Sequence, residues 1–347
     1  MPGRSTAAPP RGRIALALLA VWVLWGSTFL GIRVVVQAVP PLLAAGVRFT
    51  LAGALLLAVL TWRWHVRGEP GPWVRMRGRT RRTALLGVLH FLCSNGLVSI
   101  ASERLPSAAA GTYFATVPLW VLAVGAVSGR RGTRADLYAA LLGLVGVATL
   151  LGFEPGALLP SLLVLLAALT WAVAGRLAAP PPAGGGADPA PAPGAALTSA
   201  VQMLTGGLAL LVASAAAGEW PRLRPQALGA AVWLAEAHLV LLGSLVGFLA
   251  YTWLTARVDQ RLTSTYSYVN PLVAVGLGVA VLGERIGPAT VAGTAFLTVA
   301  VGWTVLGSAR RTRAAAPAPA APQPTPPVPS PSLPQRLPPL PLPVRSP

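Results

Sequence analysis

The chain has 347 residues, a formal net charge of +18 and a mean hydropathy of +0.65. Only 10% of its residues are charged and 54% are hydrophobic, whereas a soluble domain carries about 25% charged residues. This excludes a water-soluble globule, which could not cover its surface, and points to a membrane protein. Every basic residue is an arginine. Cys93 is the only cysteine, so no intramolecular disulfide forms. His65, His90 and His238 show no metal-ligand spacing.

Ten apolar segments follow in chain order, each long enough to cross a ~30 Å hydrocarbon layer as a helix. They fall at 14–36, 42–62, 83–102, 107–128, 135–152, 158–178, 197–217, 232–254, 263–283 and 289–307. Helices are required because the bilayer interior offers the backbone no water to bond. The first segment runs past Trp22 and Trp25 without a small-residue cleavage site, so it is expected to be a retained span rather than a signal peptide. The link 37–41 is short and uncharged, while 62–82 is long and rich in arginine. Residues 179–196, rich in Pro, Ala and Gly, read as a flexible linker. From Arg310 the chain is dominated by Pro and small residues, a tail expected to be disordered with polyproline II character.

With the N-terminus in the cytoplasm and sides alternating at each span, about 21 of the 27 arginines fall on the cytoplasmic side. Arg104, Arg222, Arg224 and Arg285 fall outside, and Arg33 and Arg48 lie within spans. The positive-inside rule therefore predicts both termini in the cytoplasm. It also explains the net charge without nucleic acid.

Ten spans divide five and five, and an odd number per half inverts the second half relative to the first. A constant offset of about 153 positions lays the fourth segment on the ninth. Arg104 then meets Arg257, Tyr113 meets Tyr266, Pro118 meets Pro271 and Gly125 meets Gly278. A slightly different offset lays Arg48 on Gln202 and Gly53 on Gly207. Trp25 and Trp171 hold similar places in the first and sixth segments.

The stretch Trp25-Gly26-Ser27-Thr28-Phe29, with Arg33, Pro40-Pro41 and Arg48-Phe49, resembles the opening of EamA-type transporters of the drug/metabolite transporter superfamily. Tyr266 to Pro271, followed by Gly283-Glu284-Arg285, resembles the second repeat of that family. One departure is that Gly129-Arg130-Arg131 stands after the fourth span, where the family usually shows a Gly-Glu pair. The resemblance implies an all-α membrane protein with ten transmembrane helices in two inverted five-helix repeats. It implies a central cavity and transport of a small metabolite or drug, often as export. The expected organisation is a cytoplasmic N-terminus (1–13), two EamA-type repeats (14–152 and 153–307) and a disordered tail (308–347).

Arg48 lies about two turns into its span. It either binds an anionic group or switches partners in the bundle interior, or it snorkels to the headgroups. Arg33, closer to its span end, is expected to snorkel. Trp25, Ser27 and Thr28, faced by Trp171, are expected to line the cavity, although the hydroxyls could instead bond their own helix. Tyr113, Thr116 and Pro118, with Tyr266, Tyr268, Asn270 and Pro271, form a repeated constellation in which proline frees a backbone carbonyl at mid-membrane. These residues are expected to line the substrate cavity, with interhelical hydrogen bonding as the alternative. His90 and Asn95 on the third span read as substrate contacts or interhelical bonds. Glu236 is the best carboxylate for proton coupling, but its place near a span end predicts a solvated group.

The expected partners are a small-molecule solute, with an amino-acid-like one as an option, and the lipid bilayer, with proton coupling and a homodimer as further options. No cofactor, metal or nucleic acid is expected. A membrane-embedded enzyme acting on lipid or isoprenoid substrates is the alternative. The scarcity and scatter of acidic residues count against it.

Overall fold

The computed structural model describes residues 11–68, 71, 76, 78–129, 133–151, 157–178, 194–255, 258 and 265–314. The linker core and residues 315–347 lie outside the described residues, whereas 308–314, expected to belong to the disordered tail, continue the last helix. All regular structure among the described residues is helical. Helix α1 is Arg11–Val36 and α2 is Pro41–Arg67. α3 runs from Thr80–Gly87 through Val88–Gly96 to Leu97–Ala101. α4 is Ser107–Phe114 followed by Val117–Val127. α5 is Arg134–Leu151, α6 Leu158–Ala178 and α7 Ala195–Ala216. α8 joins Ala230–Ala237, His238–Val246 and Gly247–Thr255. α9 is Tyr266–Leu282 and α10 Pro288–Ala314. Seven of these, α1 to α4 and α6 to α8, are long and apolar enough to cross a membrane. The apolar stretches of α5, α9 and α10 are shorter, at Leu137–Thr149, Val269–Leu282 and Pro288–Ala300.

Two helices widen to a π-helical turn at matching places, Val88–Gly96 in α3 and His238–Val246 in α8. A π turn misaligns backbone carbonyls and lets other groups take them. Trp25 Nε1 donates to the Gly243 carbonyl at 3.2 Å, and Asn95 Nδ2 donates to the His90 carbonyl at 2.9 Å. α4 breaks at Ala115-Thr116 because Pro118 has no amide hydrogen for the Phe114 carbonyl and its ring crowds that oxygen. The local bonds tighten accordingly, with Thr116 N donating to Tyr113 O at 3.2 Å and Leu119 N to Thr116 O at 2.9 Å.

Glycine sets how closely the helices approach. α2 lies along α7, and α5 along α10. An added Cβ on Gly53 would meet the Leu204 Cα at 2.9 Å, and one on Gly146 would meet the Gly293 carbonyl at 3.2 Å. With no apolar driving force in lipid, such backbone proximity supplies the dispersion contact that holds helices together. α1 packs on α8 and α9, and α6 on α3 and α4. The largest apolar cluster includes Phe29, Ile32, Leu105, Tyr113, Leu239 and Leu297.

At the rim carrying the α1–α2 turn, polar groups tie the helix ends. Glu219, just past α7, accepts from the backbone amides of Leu42 (3.3 Å) and Leu43 (2.9 Å) and from the Ser214 hydroxyl (2.8 Å). Glu284, just past α9, accepts from the Ser107 amide (2.8 Å) and hydroxyl (3.0 Å) and from the Ala108 amide (3.2 Å). Each carboxylate thus caps the exposed amides of another helix, α2 or α4, where the dipole favours negative charge. Gly283 makes the reach of Glu284 feasible by ending α9 at φ +63°, a conformation that favours glycine. Arg33 does not snorkel: its Nη1 donates to the carbonyls of Ser102 (2.7 Å) and Glu103 (2.8 Å), fastening α1 to the end of α3.

Candidate functional site

A polar cluster forms where α1, α2 and α8 meet. Arg48 is only 5% exposed. Its Nε donates to Ser244 Oγ at 3.0 Å, and its guanidinium carbon lies 4.5 Å from the centre of the Phe49 ring. The side chain therefore points into the bundle, which decides against snorkelling. Its terminal nitrogens have no hydrogen-bond partner among the described residues. Glu236 faces the same small cavity, which Ser99, Ile32, Val35 and Leu239 also line. Both Glu236 carboxylate oxygens are buried and unpartnered. This corrects the expectation of a solvated helix end: the packing of α1 and α2 over the first turns of α8 removes water from that face. Two residues further on, His238 Nε2 lies 2.9 Å from Ser27 Oγ. With the Ser27 hydroxyl donating to the Leu24 carbonyl (2.9 Å), its lone pairs take the Nε2–H of His238.

Beyond this cluster, towards the middle of the bundle, aromatic rings gather around Trp25. Its ring lies 6.3 Å from Trp171, 5.2 Å from Phe248, 4.9 Å from Tyr251 and 5.1 Å from Tyr266. Trp171 in turn lies tilted 4.7 Å from the His90 ring and edge-on 6.0 Å from Phe114. Gln202 Oε1 accepts from His90 Nδ1 at 3.3 Å. A second small cavity lies beside the α4 break, lined by Phe29, Gly111, Phe114, Val117, Tyr266 and Asn270. With its amide oriented to satisfy both ends, Asn270 donates to the carbonyls of Trp22 (3.1 Å) and Tyr266 (3.2 Å), tying α9 to α1.

The fold therefore brings Trp25, Ser27, Arg48, His90, Trp171, Tyr266 and Asn270 to one interior region. Other expected contacts are spent locally. The Thr28 hydroxyl donates to the Trp25 carbonyl at 2.6 Å and the Thr116 hydroxyl to the Tyr113 carbonyl at 2.7 Å. Asn95 satisfies the π turn of its own helix. Tyr113, 2% exposed, packs in the main apolar cluster. Tyr268 falls on α9, and its side chain lies outside the described residues. Sequence reasoning did not single out Ser244, Tyr251 or Gln202 as site residues. For Gln202 a signal existed, since the repeat lays it on Arg48. The structure completes that parallel: Arg48 on α2 bonds to the π turn of α8, and Gln202 on α7 bonds to the π turn of α3.

The interior thus presents aromatic faces around Trp25 and, at a separate cavity, one buried cation and one buried carboxylate. The model of the EamA-like transporter family matches residues 12–152 and 158–306 of the chain. The uncharacterized inner membrane transporter YedA of Escherichia coli strain K12 is 34% identical over 273 residues, which cover 78% of this chain and 83% of the relative. The YedA proteins of strains O6:H1 and O157:H7 match to the same extent. A solved crystal structure, 23% identical with a TM-score of 0.59, covers 86% of this chain and 99% of its own and shares the fold. The chain belongs to the EamA-like transporter family.

Proposed function

We propose that this membrane transporter moves a small amphipathic metabolite or drug across the inner membrane by alternating access, in the direction of export. The observations that carry the reading are two interior features, the aromatic cluster of Trp25, Trp171 and Tyr266 and the separate cavity that Arg48 and Glu236 line. Polar groups inside a membrane are costly and are kept where they serve a path. The similarity to a transporter named for the inner membrane supports that location. Family membership favours transport over lipid chemistry.

In this reading all ten helices cross the bilayer, with both termini in the cytoplasm, and the two halves are inverted copies. Several observations support it. Exchanging each helix for the one five places away turns the α1–α9 contact into α6–α4 and the α2–α8 contact into α7–α3, and both are present. The α2–α7 and α5–α10 pairs map onto themselves. The π turns also correspond, with Ser94 and Ser244 at the same place in each. Two inverted halves can pack in two nearly equivalent ways, each opening the interior to one side.

The test is efflux from proteoliposomes containing the purified protein and radiolabelled amino acids, nucleosides or cationic dyes. At least one solute is expected to leave faster than from protein-free liposomes. Equal rates for the whole panel would count against transport of this class.

A further inference from the structure

Of the glutamates with described side chains, three have partners at the rim. Glu103 pairs with Arg222 at 3.3 Å, and Glu219 and Glu284 cap helices. Glu236 differs: both its oxygens are buried and neither has a hydrogen-bond partner. The groups around it are few. α1 contributes Ile32, Val35 and Val36 to its cavity, α2 Ala44, Ala45 and Arg48, and α3 Ser99. On its own helix Leu239 lines the cavity, and His238 is held by Ser27. Arg48 is the one charged neighbour among these, and it bonds to Ser244 rather than to Glu236.

An ionised carboxylate kept from water with no donor is strongly disfavoured, whereas a protonated one is neutral. A metal cation is a poor alternative occupant. It requires several oxygen ligands, and this cavity offers the Ser99 hydroxyl and Glu236 opposite a guanidinium. Arg48 has unused terminal N–H groups facing the same space. A modest shift of α8 against α2 would let them take both carboxylate oxygens as a two-pronged ion pair.

We propose that Glu236 is the proton carrier of the transport cycle: it holds a proton in the conformation described here and releases it when the α2–α8 contact closes Glu236 onto Arg48. One proton, taken up from water on one side and given up to water on the other, then crosses in exchange for solute; the carboxyl O–H bond broken on release is replaced by an O–H bond to water. This rests on the transport reading above and adds the coupling ion and its site.

The test uses full-length protein in lipid at neutral pH. The wild type is expected to show the infrared C=O stretch of a buried protonated carboxyl. The band is expected to be lost in Glu236→Gln, shifted in Glu236→Asp and kept in His238→Gln. In proteoliposomes, an imposed pH gradient is expected to speed solute efflux by the wild type, and this stimulation is expected to vanish in Glu236→Gln. An unchanged infrared spectrum in Glu236→Gln overturns the proposal, as does pH-driven efflux that survives the substitution or a drive by sodium in place of protons. Transport without any pH effect overturns it while leaving the transport reading intact. No efflux of any solute, with the infrared band present, removes the transport reading and with it the carrier role.

Discussion

Arg48→Ala is expected to reduce solute flux by about ten- to a hundredfold, since a hydrogen bond to a charged group contributes roughly 1.5–3 kcal/mol. The side chain sits inside the bundle with its Nε held by Ser244 and its terminal nitrogens facing the cavity. It is thus already oriented to receive a negatively charged group, and little ordering cost remains when one arrives. Arg48→Lys is expected to restore little. An ammonium is a single point charge, and it cannot keep the Ser244 bond while presenting a planar pair of donors. Removing the guanidinium also takes away the group that pairs with Glu236 once it has released its proton. The double variant Arg48→Ala/Glu236→Gln is therefore expected to fold at least as well as Arg48→Ala, yet to transport no better. Initial efflux rates, normalised to the amount of inserted protein, check both statements. Wild-type rates in Arg48→Ala would remove Arg48 from the solute path.

Gly207→Val is expected to cost the fold itself. An added Cβ at Gly207 would meet the Thr50 amide nitrogen, the Thr50 hydroxyl oxygen at 2.6 Å and the Phe49 carbonyl carbon at 2.8 Å. Two of these are backbone atoms of α2, which cannot swing aside as a long side chain can. Overpacking a close contact costs about 1–3 kcal/mol, and a branched residue against backbone belongs at or above the upper end. The α2–α7 pair would have to separate. That would loosen the Glu219 cap on Leu42 and Leu43 and the contact of Gln202 with His90. Size-exclusion profiles and thermal melting in detergent are expected to show lost yield and a lower Tm. Gly276→Ala is the control. Nothing lies within 4 Å of an added Cβ there, and alanine favours helix by about 0.5–1 kcal/mol over glycine. Its Tm is expected to be equal or higher.

Hydropathy located the helices well because lipid demands long apolar runs; the expected span 158–178 coincides with α6, Leu158–Ala178. It erred where a helix outlasts its apolar part. α2 continues to Arg67 and α10 to Ala314, past the expected ends at 62 and 307. Polar helical turns cost nothing once clear of the hydrocarbon, and Arg and Ala are good helix formers.

The site was less legible, for a different reason. A sequence gives depth along a helix but not the face that neighbours cover. Glu236 looks solvated by depth and is enclosed by α1 and α2. Thr116 and Thr28 look like solute contacts by depth and bond to their own helices. The π turns left no mark in composition, and they determine where Trp25 finds the Gly243 carbonyl. The sequence offset carried more: it lays Gln202 on Arg48, and each side chain bonds to a π turn.

Alternating access, as proposed, requires that the interior around Ser27 opens to each side of the membrane in turn. The most direct measurement is thiol accessibility of Ser27→Cys in a Cys93→Ala background, which removes the single native cysteine. A membrane-impermeant thiol reagent is applied to right-side-out and to inverted vesicles. Labelling of Ser27→Cys from both sides is the result expected. Labelling from one side alone, or from neither, would contradict alternating access through this interior.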